Sequence, residues 1–183
     1  MRLFISVNFD SETKDALCNH IEKLREVSEK GNFTRRDNLH LTLVFIGETT
    51  QIGAIVDTID TINMEEFSIM LEGMGKFKRS GGDIYWVGVE KCQPLVILHK
   101  FLYRSLVRKG IPLDKNDFKP HLTLGREVVL KDGIVKSILD DVKYDKEIKV
   151  SRVSLMKSER QRDGVVYTEI YAKELIKHNS AEI

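Results

Sequence analysis

The chain holds five histidines, and two of them open the same tetrapeptide: His-Leu-Thr-Leu stands at 40–43 and again at 121–124. On a β-strand, residues two apart share a face, so His40 with Thr42 and His121 with Thr123 each present an imidazole and a hydroxyl together. Leu41, Leu43, Leu122 and Leu124 then point the other way and anchor the strand. An imidazole titrates near pH 6.5 in the absence of perturbation, so two of them suit paired acid-base catalysis, one donating a proton while the other accepts one. Two hydroxyls beside them are donors for the non-bridging oxygens of a phosphoryl group. A lone histidine in a sheet usually just satisfies a backbone group. A costly polar pair made twice is most simply used together, across an approximate two-fold axis and in a cleft between two lobes. No carboxylate cluster, P-loop or H-x-x-x-H helix accompanies the pairs, so no metal and no cofactor is called for.

The elements that must position these pairs are legible from periodicity. Arg2 to Phe9 alternates as a strand, with Leu3, Ile5, Val7 and Phe9 on one side. Asp10 and Ser11 offer a helix N-terminus, and Leu17, Ile21, Leu24 and Val27 carry the helix to a stop at Gly31. Leu39 to Ile46 is apolar on both faces and reads as a central strand. Ile52, Ile55, Val56, Ile59 and Ile62 mark a second helix. Strands follow at Phe67–Lys76 and Ile84–Val89, split by the turn residues 80–83. Pro94 opens a third helix with Leu95, Leu98, Leu102 and Leu106 on one stripe, ended by Gly110 and Pro112. A strand at His121–Val128, a short helix at Gly133–Asp140 and a final hairpin, Lys149–Lys157 with Val165–Lys173, complete the chain. Residues from Lys177 onward read as frayed. Mixed helices and hairpins predict an α+β fold with antiparallel sheets. No linker separates the halves, so residues 1–183 read as a single domain, internally duplicated.

With 183 residues the chain has enough length for one core. A formal charge of +1 gives no global pull toward nucleic acid or an anionic membrane, so any RNA contact must be local. Cys18 and Cys92 form no C-x-x-C pair, which excludes a readable disulfide framework or zinc knuckle. No apolar run approaches a membrane span, and the opening residues lack a signal-peptide pattern, so a cytoplasmic, membrane-free location is the expectation.

Paired H-x-T-x motifs in a chain of this size resemble the two-histidine (2H) phosphoesterases, and within them the RNA 2′,3′-cyclic phosphodiesterase branch, which is 2′-5′ RNA ligase-like. MRLFISVNF, NLHLTLVFIGE, IYWVGVE, FKPHLTLGRE, LMKSE and a later VVY follow that branch in order, over nearly the whole chain. The resemblance implies a bilobal fold with two antiparallel sheets facing a central cleft and helices outside. It implies hydrolysis of a terminal 2′,3′-cyclic phosphate to a 2′-phosphomonoester, on RNA ends or nucleotides, by a monomer without a cofactor. Carried onto this chain, His40 is the proton donor and His121 the acceptor, with Thr42 and Thr123 on the phosphate; the imidazoles exchange roles in the reverse direction. A 2′-5′ RNA ligase or phosphodiesterase, a phosphodiesterase of small cyclic nucleotides, and a non-catalytic binder of RNA ends remain open alternatives.

Further residues rank lower. Arg126 lies an odd number of positions from His121, so strand parity turns it away from the cleft and toward a structural ion pair. Arg35, Arg36, Lys76, Lys78 and Arg79 form basic stretches suited to an RNA backbone or to plain solvated surface. Phe4, Phe45 and Trp86 offer stacking surfaces but sit in strand patterns where core packing is the default. His20, His99 and His178 have no threonine two residues on. Lys157, Ser158 and Glu159 read as the start of the final hairpin loop, which the resemblance implies borders the groove.

Overall fold

The alternating run at the N-terminus forms β1 (Arg2–Asn8). The Asp10 carboxylate then accepts the Thr13 N–H at 2.7 Å and starts α1 (Ser11–Glu26), which buries Leu17, Ile21 and Leu24. The computed structural model describes residues 1–115, 117–133 and 147–177; the short helix expected after Gly133 and the tail carrying His178 lie outside these.

Helix α1 stops at Glu26, short of Gly31, and the chain turns at once into β2 (Ser28–Phe33). This strand, SEKGNF, carries no alternating apolar face, so only its partner reveals it. Gly31 is a strand residue packed under neighbours, where a Cβ would come within 2.9 Å of the Val128 side chain. The first motif strand, β3 (His40–Glu48), pairs with β1, His40 opposite Asn8. Helix α2 (Ile52–Asp60) precedes β4 (Phe67–Ile69), β5 (Leu71–Phe77) and β6 (Asp83–Val89). The single strand expected over 67–76 is thus two, which break at Met70 and enter different sheets. Helix α3 (Gln93–Arg108) buries Leu95, Leu98, Leu102 and Leu106. It is followed by the second motif strand, β7 (His121–Leu130), then β8 (Ile148–Val150), β9 (Arg152–Gln161) and β10 (Gly164–Glu174).

These strands make two four-stranded sheets, ordered β10-β9-β1-β3 and β2-β7-β6-β5, with β4 and β8 as a separate pair. Every pairing within them is antiparallel, and the fold is α+β. Strand β3 is an edge strand by hydrogen bonding, against the expectation of a central one. Its two apolar faces have a different cause: α3 packs against it, and β7 of the other sheet lies beside it. Neither sheet belongs to one half of the chain. Strand β2 leaves the first half to pair with β7, and β9 and β10 return from the C-terminal end to complete the sheet of β1 and β3. Helix α1, which lies between β1 and β3, packs on β2 and β7 of the opposite sheet, while α3, between β6 and β7, packs on β3. Each helix therefore crosses from its own hairpin to the other side.

The four motif leucines are at most 2% exposed. Burying each contributes about 1.5–3 kcal/mol, enough to pin the face its polar neighbours must occupy. No helix among the described residues is long and apolar enough to cross a membrane.

Candidate active site

His40, Thr42, His121 and Thr123 all line one cleft of about 1320 Å³ between the two sheets. Both imidazoles are held by the same device. Nδ1 of His40 lies 2.7 Å from the Asn38 carbonyl, and Nδ1 of His121 lies 2.7 Å from the Lys119 carbonyl, in each case two residues upstream. A carbonyl only accepts, so Nδ1–H is the donor in both rings and the neutral form leaves Nε2 bare. Nε2 of His40 accepts the Thr42 hydroxyl at 3.0 Å.

Aromatic rings flank each imidazole. Phe4 and Tyr167 lie 4.7 and 5.1 Å from His40, and Phe77 and Trp86 lie 5.2 and 5.9 Å from His121, centroid to centroid. This desolvation disfavours the imidazolium form. Burial pushes His40 down to about 4, the Asn38 carbonyl opposing and the charges of Arg126, His121 and Lys14 adding to the fall. Burial also holds His121 below the usual imidazole value, against the Lys119 carbonyl and with help from Arg126.

Arg126 lines the cleft, contrary to the expectation from parity, and among the described residues it makes no ion pair. The reason is a β-bulge. Between β6 and β7, Trp86 faces Thr123 but Tyr85 faces Gly125, so Leu124 is an extra residue and the faces exchange beyond it. The first motif does the same: Ser6 faces Thr42 but Ile5 faces Val44, leaving Leu43 as the extra residue. Position five after each histidine therefore turns back to the cleft, and it is Phe45 on β3 and Arg126 on β7. A second irregularity follows at Glu127, whose φ of 54° is left-handed. Gly82 makes room for it, since a Cβ there would stand 2.4 Å from the Glu127 carbonyl carbon.

Two positioning residues escaped the sequence reading. Asn38 donates its amide to the Val165 carbonyl at 2.7 Å and accepts the Tyr167 N–H at 3.3 Å, tying β10 to the residue that holds His40. Thr34 donates its hydroxyl to the Thr123 carbonyl and its N–H to the Leu124 carbonyl, both at 2.8 Å, pinning the β7 bulge. Their signal was only proximity to the first motif.

The remaining candidates divide. Arg35 lines the cleft, whereas Arg36 pairs with Asp15 and Lys76 with Asp83, each at 2.6 Å, and Lys78 and Arg79 do not line it. Phe4 is buried, Trp86 is half-buried against His121, and Phe45 is exposed. Lys157, Ser158 and Glu159 belong to β9 and not to a loop, because the hairpin turn is only Arg162–Asp163; Ser158 still reaches the cleft. His99 lies away from the cleft and donates its Nδ1–H to the Leu43 carbonyl at 2.8 Å. Among the described residues no group of three or more His, Cys, Asp or Glu is placed to hold a metal ion.

The fold is also that of LigT from Escherichia coli. Its apo crystal structure superposes with a TM-score of 0.81 at 25% identity, covering 96% of this chain and 97% of that one. The same protein complexed with 3′-AMP superposes at 0.78, also at 25% identity, over 95% and 96% of the two chains. The family model of the 2′-5′ RNA ligase superfamily matches residues 13–162, and the chain belongs to that superfamily. Relatives named RNA 2′,3′-cyclic phosphodiesterase include one from Archaeoglobus fulgidus, 33% identical over 69% of this chain and 72% of its own. Another, from Thermotoga maritima, is 29% identical over 93% of this chain and 94% of its own.

Proposed function

We propose that this chain is an RNA 2′,3′-cyclic phosphodiesterase that opens a terminal cyclic phosphate to a 2′-phosphomonoester, with His40 and His121 as its acid and base. The observation that carries the reading is the pair of tautomer-locked imidazoles whose Nε2 atoms serve one cleft, with Thr42, Thr123 and Arg126 around it. Nε2 of His121 takes a proton from water as the water oxygen bonds to phosphorus. The bond from phosphorus to O3′ breaks, and the Nε2 proton of His40 passes to that oxygen. Thr42, Thr123 and Arg126 hold the non-bridging oxygens, where negative charge builds in the transition state.

His40 must carry its proton for this step, yet burial favours the neutral ring. The anionic phosphate supplies the missing partner: its charge beside the imidazole favours the protonated form. Substrate binding thus loads the acid. All the residues named come from one chain, which supports action as a monomer. Exchange of strands between the sheets supports reading residues 1–183 as one unit of two lobes.

The test is to incubate the protein with an oligoribonucleotide ending in a 2′,3′-cyclic phosphate, with and without a chelator, and identify the product by phosphorus NMR. A 2′-monophosphate in both is expected. A 3′-monophosphate would overturn the assignment of the broken bond, and no turnover would overturn the activity.

A further inference from the structure

Strand β10 is the edge of its sheet, and edge strands carry backbone groups with no strand to bond. At two of those groups a side chain takes the strand's place. The Asn38 amide donates to the Val165 carbonyl at 2.7 Å and its oxygen accepts the Tyr167 N–H at 3.3 Å, the donor and acceptor pattern a neighbouring strand would supply. The backbone of the same residue is committed elsewhere: its N–H bonds the Arg35 carbonyl at 2.9 Å, and its carbonyl holds Nδ1 of His40 at 2.7 Å. Asn38 thus ties together the turn before β3, the cleft side of the hairpin and the imidazole. Closing the turn uses only its backbone N–H, so the amide on β10 calls for a separate reason.

That reason lies in what β10 brings to His40. The Tyr167 ring stands edge-on to the imidazole, 5.1 Å away at 88°, and lies 4.9 Å from Phe4, which flanks the imidazole at 4.7 Å. Asn38 therefore fixes the imidazole through its carbonyl, and through its amide it fixes the strand whose ring keeps water from that imidazole. Resting on the reading of His40 as the acid, we propose that Asn38 is a positioning residue that seats the β9–β10 hairpin and the His40 imidazole as one unit. A misplacement of about 1 Å at a reacting group can cost on the order of a hundredfold in rate. A residue that sets both the aim of Nε2 and the dry side of its ring acts on the chemical step more than on substrate binding. The charges that bear on His40, Arg126 and His121 on β7 and Lys14 on α1, stay in place when Asn38 is substituted.

The experiment follows the His40 ring directly, by long-range proton–nitrogen NMR across a pH titration without substrate. In parallel it measures kcat and KM on an oligoribonucleotide ending in a 2′,3′-cyclic phosphate. In wild type the neutral ring should carry its proton on Nδ1 alone and titrate at about 4. Asn38→Ala should mix the two tautomers, raise the midpoint toward the ordinary 6.5 as water reaches the ring, and lower kcat about tenfold with KM within about twofold. Asn38→Gln, which keeps the amide but sets it one methylene too far, should act in the same direction. His121 should titrate as in wild type in both. Tyr167→Leu should raise the His40 midpoint by itself, and adding Asn38→Ala to it should raise the midpoint less than in the wild-type background, the mark of two residues acting through one contact. An unchanged His40 tautomer and midpoint in Asn38→Ala, equal shifts at His40 and His121, or additive effects with Tyr167→Leu overturn the proposal. The NMR needs no turnover, so the coupling seen there in a protein inactive on the oligoribonucleotide sinks the phosphodiesterase reading and leaves the seating in place.

Discussion

The two walls of the cleft share a histidine locked by the carbonyl two residues back, an aromatic pair against the ring and a bulge at the last leucine of the motif. They part company in two places. Beyond the bulge one wall turns Phe45 to the cleft and the other Arg126. Thr42 also holds Nε2 of its own histidine, while among the described residues Thr123 makes no such bond to His121. The shared features fit the proton transfers, which need two equivalent groups. The differing ones give the cleft a direction, with a cation at one end and an aromatic surface at the other.

Substituting either histidine is the strongest way to test the equivalence. His40→Ala and His121→Ala should each lower kcat by about 10²–10⁴, as loss of an acid or base does, with the fold retained by circular dichroism. Near wild-type turnover in one of them would make the walls unequal in kind. Arg126→Gln sharpens the difference: kcat/KM should fall by roughly ten- to a hundredfold, the worth of a charged hydrogen bond. Its pH optimum should also rise, because the guanidinium charge depresses both imidazoles.

Smaller effects should follow at the threonines. Thr42→Val and Thr123→Val should each cost about fivefold in kcat/KM, the scale of one neutral hydrogen bond. Only Thr42→Val should also move the acid limb upward, since its hydroxyl stabilises the neutral ring of His40. The subtlest comparison is the pH profile of wild type. Because kcat/KM reports the free enzyme, its bell should have an acid limb near 4 and a second limb below the ordinary 6.5. The kcat profile should lie at higher pH, where bound phosphate favours protonation. The same depressed pKa makes unfolded chains bind the proton more readily, so stability should fall as pH drops from 6.5 toward 4. That loss should be smaller in His40→Ala by chemical denaturation.

Sequence patterns revealed what burial periodicity controls. The leucine-anchored motif strands, α1 with Leu17, Ile21 and Leu24, and α3 with its four leucines stand where their spacing put them. Strand β2 was hidden because an edge strand can be polar on both faces, its stability coming from backbone bonds to β7. Arg126 was assigned to the wrong side because alternation assumes an unbroken ladder, and one extra residue at Leu124 reverses the faces beyond it; the same device at Leu43 carries Phe45, read by default as core, to the cleft wall. The break at Met70 was invisible because both segments it joins are locally good strands, and only their partners differ.

The exchange of strands has a bearing on how such a chain can be divided. A fragment ending near residue 112 would carry β1 and β3 without β9 and β10, and β2, β5 and β6 without β7. Both of its sheets would be left with a gap or an open border at the place where the complementary fragment belongs. Two such pieces expressed separately would recover a working cleft only by finding each other, and the reassembled molecule would be held by pairing along several backbones at once.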